Sequence, residues 1–185
     1  MSELKYKNNR LRAGGESMAM EAKAASMEEK ATSNEAKAAS NEAKAASMEA
    51  KASKELMWAG TDGTINFGNH ALEKKAKLDD FEYGGNIWKV KTSKTMTKLE
   101  KNGMFVYESV PGTSVFDFRE TEEGLSFTVA GTEDAQITLE LAEEVEYEVY
   151  IADELIGKMA TNVSGKLTLS TELAGALKVP VRIVK

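Results

Sequence analysis

The chain has 185 residues, of which 24 are basic and 30 acidic, with one histidine and no cysteine; that length holds one medium domain plus an extension. Without cysteine there is no disulfide framework, thiol nucleophile or thiolate metal site, and a single histidine excludes His-cluster metal centres. Residues 1–58 carry ten basic and nine acidic side chains, leaving 14 basic and 21 acidic for the remainder, and a surface that acidic repels phosphate backbones, which argues against nucleic acid and anionic membrane as partners.

Residues 1–16 are polar and basic, with Lys5, Lys7, Arg10 and Arg12 spaced among Asn8, Asn9 and the Gly14-Gly15 pair. The segment reads either as a flexible tail or as an attachment peptide that orders against a larger assembly. It has no apolar stretch of the signal-peptide type, and no run in the chain approaches the length of a membrane span. The location expected is therefore cytoplasmic, or within a virion or other assembly.

Residues 17–58 are expected to form a long helix, with Ser17 as its N-cap. Five near-identical heptads run from Met20 to Lys54: MEAKAAS, MEEKATS, NEAKAAS, NEAKAAS and MEAKASK. A strict seven-residue repeat keeps one stripe of a helix facing a partner. Met20, Met27, Asn34, Asn41 and Met48 take position d of that stripe, and Ala24, Ala31, Ala38, Ala45 and Ala52 take position a. Lys23, Lys30, Lys37 and Lys44 then fall at g and meet Glu28, Glu35, Glu42 and Glu49 at e of a parallel neighbour. Antiparallel pairing would oppose like charges, so the pattern predicts a parallel homo-oligomer, a trimer in preference to a dimer. Ala-, Glu- and Lys-rich sequence also suits a lone spacer helix or an engineered linker. A self-supporting helix, however, places Glu four residues before Lys, whereas here each Lys follows its Glu by two. A second Ala stripe leaves open a helix folded back on its own chain.

The consecutive Asn34 and Asn41 layers put polar groups in an Ala-lined seam, a device that fixes register and oligomer number at a cost in stability. Stacked Asn at d resembles the stalks of trimeric fibrous proteins, such as bacterial adhesin stalks and phage fibres.

The stretch 59–86 reads as a connector, with a short strand at 64–69 and a short helix or loop over 70–80. Leu56 and Trp58, at the end of the heptads, are expected to pack on the domain that follows. From 87 to 185 the hydrophobic period changes from seven to two. Alternation appears over 87–91, 104–107, 125–129, 137–141, 147–151, 167–170 and 179–184, with turn signals such as Asn102-Gly103, Pro111-Gly112 and Ser164-Gly165 between the runs. That spacing predicts an antiparallel β-sandwich, so the fold class expected is α+β as separate parts. The stretch YEVYIADELIGKMATNVSGKLTLS resembles the hairpins of bacterial immunoglobulin-like modules, which implies architecture and not activity; its first turn, Ala152-Asp153-Glu154, lacks the Gly usual there.

Candidates for chemistry are few. His70 stands alone in an expected loop. The acidic pairs Asp79-Asp80, Glu122-Glu123 and Glu143-Glu144 are adjacent in sequence, so on a strand their side chains diverge, whereas glycoside hydrolysis needs two carboxylates held across a cleft. Asn162-Val163-Ser164 fits a glycosylation sequon and equally a turn. Among the aromatics, Trp88, Phe105 and Phe116 are expected in the core, while Tyr83, Trp88 and Tyr107 are the candidates for contact with a ligand. The sequence thus predicts a protein without catalytic residues, cofactor or metal: a structural or attachment component whose oligomeric stalk displays a β-sandwich. The alternative is a carbohydrate-binding module displayed in several copies, with a glycan as partner.

Overall fold

A computed structural model describes residues 55–175 and 178–185, together with Ser40. The N-terminal tail and the expected seam, Met20 through Ala52, lie outside those residues, and with them the helical half of the expected fold class. The described chain is all β, with thirteen strands: β1 (Met57–Ala59), β2 (Ile65–Phe67), β3 (Ala76–Tyr83), β4 (Asn86–Ser93), β5 (Met96–Lys101), β6 (Met104–Val110), β7 (Ser114–Thr121), β8 (Gly124–Ala130), β9 (Ala135–Glu140), β10 (Glu146–Ile151), β11 (Glu154–Ala160), β12 (Lys166–Thr171) and β13 (Val179–Val184). They form two antiparallel sheets, one of order β1-β2-β7-β8-β13-β10-β11 and one of order β12-β9-β6-β5-β4-β3.

The seven runs of period-two alternation coincide with β4, β6, β8, β9, β10, β12 and β13. Their inward residues, among them Val90, Val129, Ile137, Leu139 and Val149, are completely buried between the sheets, as a sandwich with one face of each sheet inward requires. Four aromatics close a ring at the centre. Phe67 meets Tyr107 and Phe118 at 5.4 and 5.5 Å between centroids, and Phe127 meets the same two at 5.7 and 6.0 Å. Three of the four come from the seven-stranded sheet; Tyr107 reaches across from the other.

Residues 59–86 are not a connector. They supply β2, all of β3, the end of β1 and the first residue of β4, while Met57 and Trp58, expected at the end of the stalk helix, already belong to β1. The strand expected at 64–69 is present as β2. The helix or loop expected over 70–80 gives way at Ala76 to β3, which carries a bulge between Leu78 and Phe81, with Asp80 at φ 59°. The bulge inserts an extra residue, so the inward residues Ala76, Leu78, Phe81 and Tyr83 contain one step of three, a spacing that imitates a helix. Leu56 packs on the core as expected, and Trp58 joins Phe116 and Ala130 in a separate buried cluster.

Buried hydroxyls form a second, polar centre near the β4–β5 and β6–β7 connections. Thr92 and Thr97 share a hydrogen bond of 2.8 Å, Thr97 donates to the Thr113 carbonyl at 2.7 Å, and the Thr113 hydroxyl lies 2.8 Å from both Tyr107 Oη and Ser109 Oγ. Mutual satisfaction is what makes such groups tolerable in a dry interior. Burial pushes the Tyr107 phenol well above its usual range.

Candidate functional site

The turn between β3 and β4 is two glycines, Gly84 and Gly85, at φ 60° and 73°. Positive φ at both central residues matches the right-handed twist of a two-residue hairpin, and glycine adopts it without steric cost. The turn between β5 and β6, Asn102-Gly103, repeats the arrangement at φ 52° and 81°. The two tips are laced together: Asn102 Oδ1 accepts from the Ile87 amide at 2.9 Å, Asn102 Nδ2 donates to Asn86 Oδ1 at 2.8 Å, and Asn86 Nδ2 donates to the Gly84 carbonyl at 2.9 Å. Each amide group keeps one N–H and one lone pair free of these bonds.

Behind the laced tips, a cavity of about 170 Å³ opens between the sheets, lined by Ile65, Tyr83, Asn86, Trp88, Lys101, Phe118 and Glu120, among others. Lys101 Nζ lies 5.2 Å from the Trp88 ring centroid and 2.5 Å from Glu120 Oε2. Trp88 donates its indole N–H to the Tyr83 carbonyl at 3.1 Å. Ile87 and Met104, 51% and 64% exposed, flank the mouth. Free amide donors and acceptors, an aromatic edge and one tethered ammonium can hydrogen-bond a neutral polar group. It holds one carboxylate, Glu120, already paired, where glycosidase chemistry asks for two.

The structure treats the three candidate ligand aromatics differently. Tyr83 is half-buried at the mouth and Trp88 is 5% exposed beneath Lys101, so the fold brings these two together. Tyr107 is fully buried in the aromatic ring and belongs to the core, not to a ligand-facing surface. The cause is a register shift between Leu99 and Glu100, where Tyr107 pairs with Leu99 and Phe105 with Glu100. Val106 is thereby the extra residue, and Phe105 and Tyr107 land on opposite faces. Phe105, expected in the core, is instead half-buried on the outer face between Lys98 and Lys166, whose Nζ atoms lie 5.7 and 5.0 Å from its ring centroid. Phe116 is buried, edge-on to Trp58 at 6.2 Å.

The remaining candidates are dispersed. His70 Nδ1 lies 2.8 Å from Ser114 Oγ, which also accepts from the His70 amide at 3.3 Å; Ser114 is 3% exposed and serves as a bridge between the β2–β3 loop and β7. Asp79 sits in the β3 bulge, where ion pairs with Lys77 at 2.6 Å and Lys89 at 3.2 Å hold its carboxyl below the usual range. Glu122-Glu123 and Glu143-Glu144 lie in two other connections. Asn162 Oδ1 accepts from the Ser164 and Lys166 amides, both at 2.9 Å, so the sequon asparagine is engaged in a turn. Lys101, Glu120 and the Asn86–Asn102 pair were not legible as a site; only the Gly-Gly and Asn-Gly turn signals marked the two tips.

The mouth lies at the end of the domain away from where the chain enters. The Leu56 carbonyl accepts from Gly68 at 3.0 Å, next to the Phe67–Val115 pairing near the start of β7. Glu120 sits five residues further along that strand, about 17 Å at 3.4 Å per residue. Comparison with known proteins found no family model, no curated protein sequence and no solved structure that matches the chain.

Proposed function

We propose that the chain is a non-enzymatic structural or attachment protein: a parallel, trimeric coiled-coil stalk that displays the β-sandwich domain, in the manner of a virion or surface fibre. The observation that carries this reading is the continuity of the heptads with the domain. The last heptad closes at Lys54 and β1 opens at Met57, so two residues separate a pattern built for association from the first strand of the head. The four Lys–Glu matches between g and e set chain direction, and the Asn layers set number. A poor Ala seam then fits a stalk whose three heads are held close to where the chains associate. Sedimentation equilibrium of the full chain is expected to give about three times the 20.1 kDa chain mass; a monomer at tens of micromolar overturns the reading.

A second reading, a glycan-binding head, is favoured by one observation: two of the three expected aromatics and the Asn86–Asn102 pair border one mouth, at the end away from the chain's entry. Three tethered copies would turn a weak single site into useful avidity. On a glycan array probed with the oligomer, Tyr83→Ala is expected to abolish any signal while the domain stays folded, as circular dichroism checks, with a lower melting temperature because Tyr83 packs on the core. Truncating a central aromatic contact costs about 2 kcal/mol or more, roughly thirtyfold per site. Silence of the wild-type protein across the array removes this reading and leaves the structural one.

A further inference from the structure

Residues 59–185 contain two arginines, Arg119 and Arg182, and the register of the seven-stranded sheet sets both in one row. Tyr150 lies opposite Arg182, Arg182 opposite Ser126, and Ser126 opposite Arg119. Leu125, Phe127, Val181 and Ile183, the strand neighbours of Ser126 and Arg182, are buried, so alternation turns the row to the outer face. All the ion pairs among the described residues use lysines. Neither guanidinium has a carboxylate partner there, although acids outnumber bases by seven in this part of the chain. The planar fork of arginine is the better carboxylate ligand of the two cations, so an acid-rich surface that leaves both forks without one departs from simple charge pairing.

Arg182 is also held in place. Its guanidinium carbon lies 3.9 Å from the Tyr150 ring centroid, and Tyr150 donates its hydroxyl to Glu148 Oε2 at 2.8 Å. That bond to a carboxylate raises the phenol above its usual range and keeps it a donor. Two shallow cavities of about 210 and 240 Å³ meet at Ser126 and Arg182. The first is also lined by Asp117, Thr128 and Asp153, the second by Thr121 and Glu123. Together they make a trough along β8 and β13. Arg119, at the far end of the row, donates one N–H to the Asp62 carbonyl at 2.6 Å and keeps others.

We propose that this trough binds a saccharide bearing a single carboxylate. The Arg182 fork takes the carboxylate, the Ser126 and Thr128 hydroxyls lie along the ring, and Asp117 and Asp153 accept from sugar hydroxyls. The flanking acids decide the class of ligand. Carboxylates accept hydroxyl donors well, and they repel a densely phosphorylated or sulfated polymer. A stacked guanidinium that need not be ordered on binding lowers the entropic cost of capture.

The site is separate from the Tyr83 mouth and does not depend on the stalk. Isothermal titration of the full chain with galacturonic acid and with sialyllactose, each bearing one carboxylate, tests it and distinguishes a uronate from a sialic-acid source. The controls are the methyl ester of the first and plain lactose for the second. At least one acid is expected to bind saturably, with its control weaker by about tenfold or more. Arg182→Lys, which keeps the charge and loses the fork and the stack, is expected to weaken binding by a similar factor, with the melting temperature unchanged because Arg182 is exposed. Tyr83→Ala is expected to leave it unaltered. The proposal is overturned by the absence of saturable heat with both acids at tens of millimolar, by equal binding of acid and control, or by an Arg182→Lys variant that binds like the wild type.

Discussion

Replacing Phe67 with Ala is expected to destabilise the β domain by about 3–5 kcal/mol, a large part of the roughly 5–15 kcal/mol that holds a domain folded. Phe67 has no exposed surface and makes edge-on contacts with both Tyr107 and Phe118. Such aromatic pairs add about 0.5–1.5 kcal/mol each beyond their buried area, and the walls of the cavity belong to two different sheets, which limits collapse into the space. The strand that carries it is short: β2 has three residues, paired with β1 on one side and β7 on the other. Losing the ring therefore also loosens the place where the chain enters the domain. Urea unfolding followed by tryptophan fluorescence is expected to show a lower midpoint with an unchanged slope. A midpoint within about 0.5 kcal/mol of the wild type would mean that Phe67 is not central to the core.

Much of this fold was legible because a half-buried strand writes its burial as a period of two. The inner residues of β8, Leu125, Phe127 and Val129, and those of β9, Ile137 and Leu139, are separated by single outward residues and needed no further information. What hid the other strands was physical. β3 and β7 each carry a bulge, with Asp80 and Asp117 at φ 59° and 52°. A bulge adds a residue to one strand only, so the apolar spacing slips where the backbone is most sheet-like on either side. β5, Met96–Lys101, is a central strand with only Thr97 and Leu99 buried within it, and a single apolar side chain between Lys and Glu is too little alternation to read as a strand. β1 is three residues long, too short for any period to show.

The same slips decide how much of the candidate site was legible. Tyr83 and Trp88 flank a two-glycine turn, and a hairpin forces such neighbours together, so their shared mouth follows from local sequence. Tyr107 failed because the extra residue Val106 reverses its face, and no short window contains that information. The Asn86–Asn102 bond and the Lys101–Glu120 pair span 16 and 19 residues; they depend on which hairpins lie side by side. The arginine row is more distant still. Arg119 and Arg182 meet across Ser126 only once β7, β8 and β13 are known to be neighbours, which is a property of sheet order and not of any one strand. Residue types pointed to chemistry; topology chose which of them share a surface.

In the proposed stalk, replacing both Asn34 and Asn41 with Met is expected to raise the melting temperature and to loosen the choice of oligomer. Met is the residue the heptads already carry at the other d positions, Met20, Met27 and Met48. Two consecutive Asn layers forgo apolar burial and keep their amides desolvated unless they satisfy one another, or a trapped water or anion, in one particular symmetry. Replacing a buried polar layer with apolar side chains of similar size often stabilises by about 1–4 kcal/mol. For a protein of this size the middle of that range corresponds to a rise of roughly 5–10 °C. The gain should come with a loss, because an all-Met and Ala seam no longer distinguishes two, three or four chains or one register from the next. Circular dichroism at 222 nm and light scattering on the same samples read both effects. A double variant that melts lower while staying in one oligomeric state would show that the Asn layers stabilise the assembly directly, by holding something in the seam, and that trading stability for a fixed number of chains is not their role.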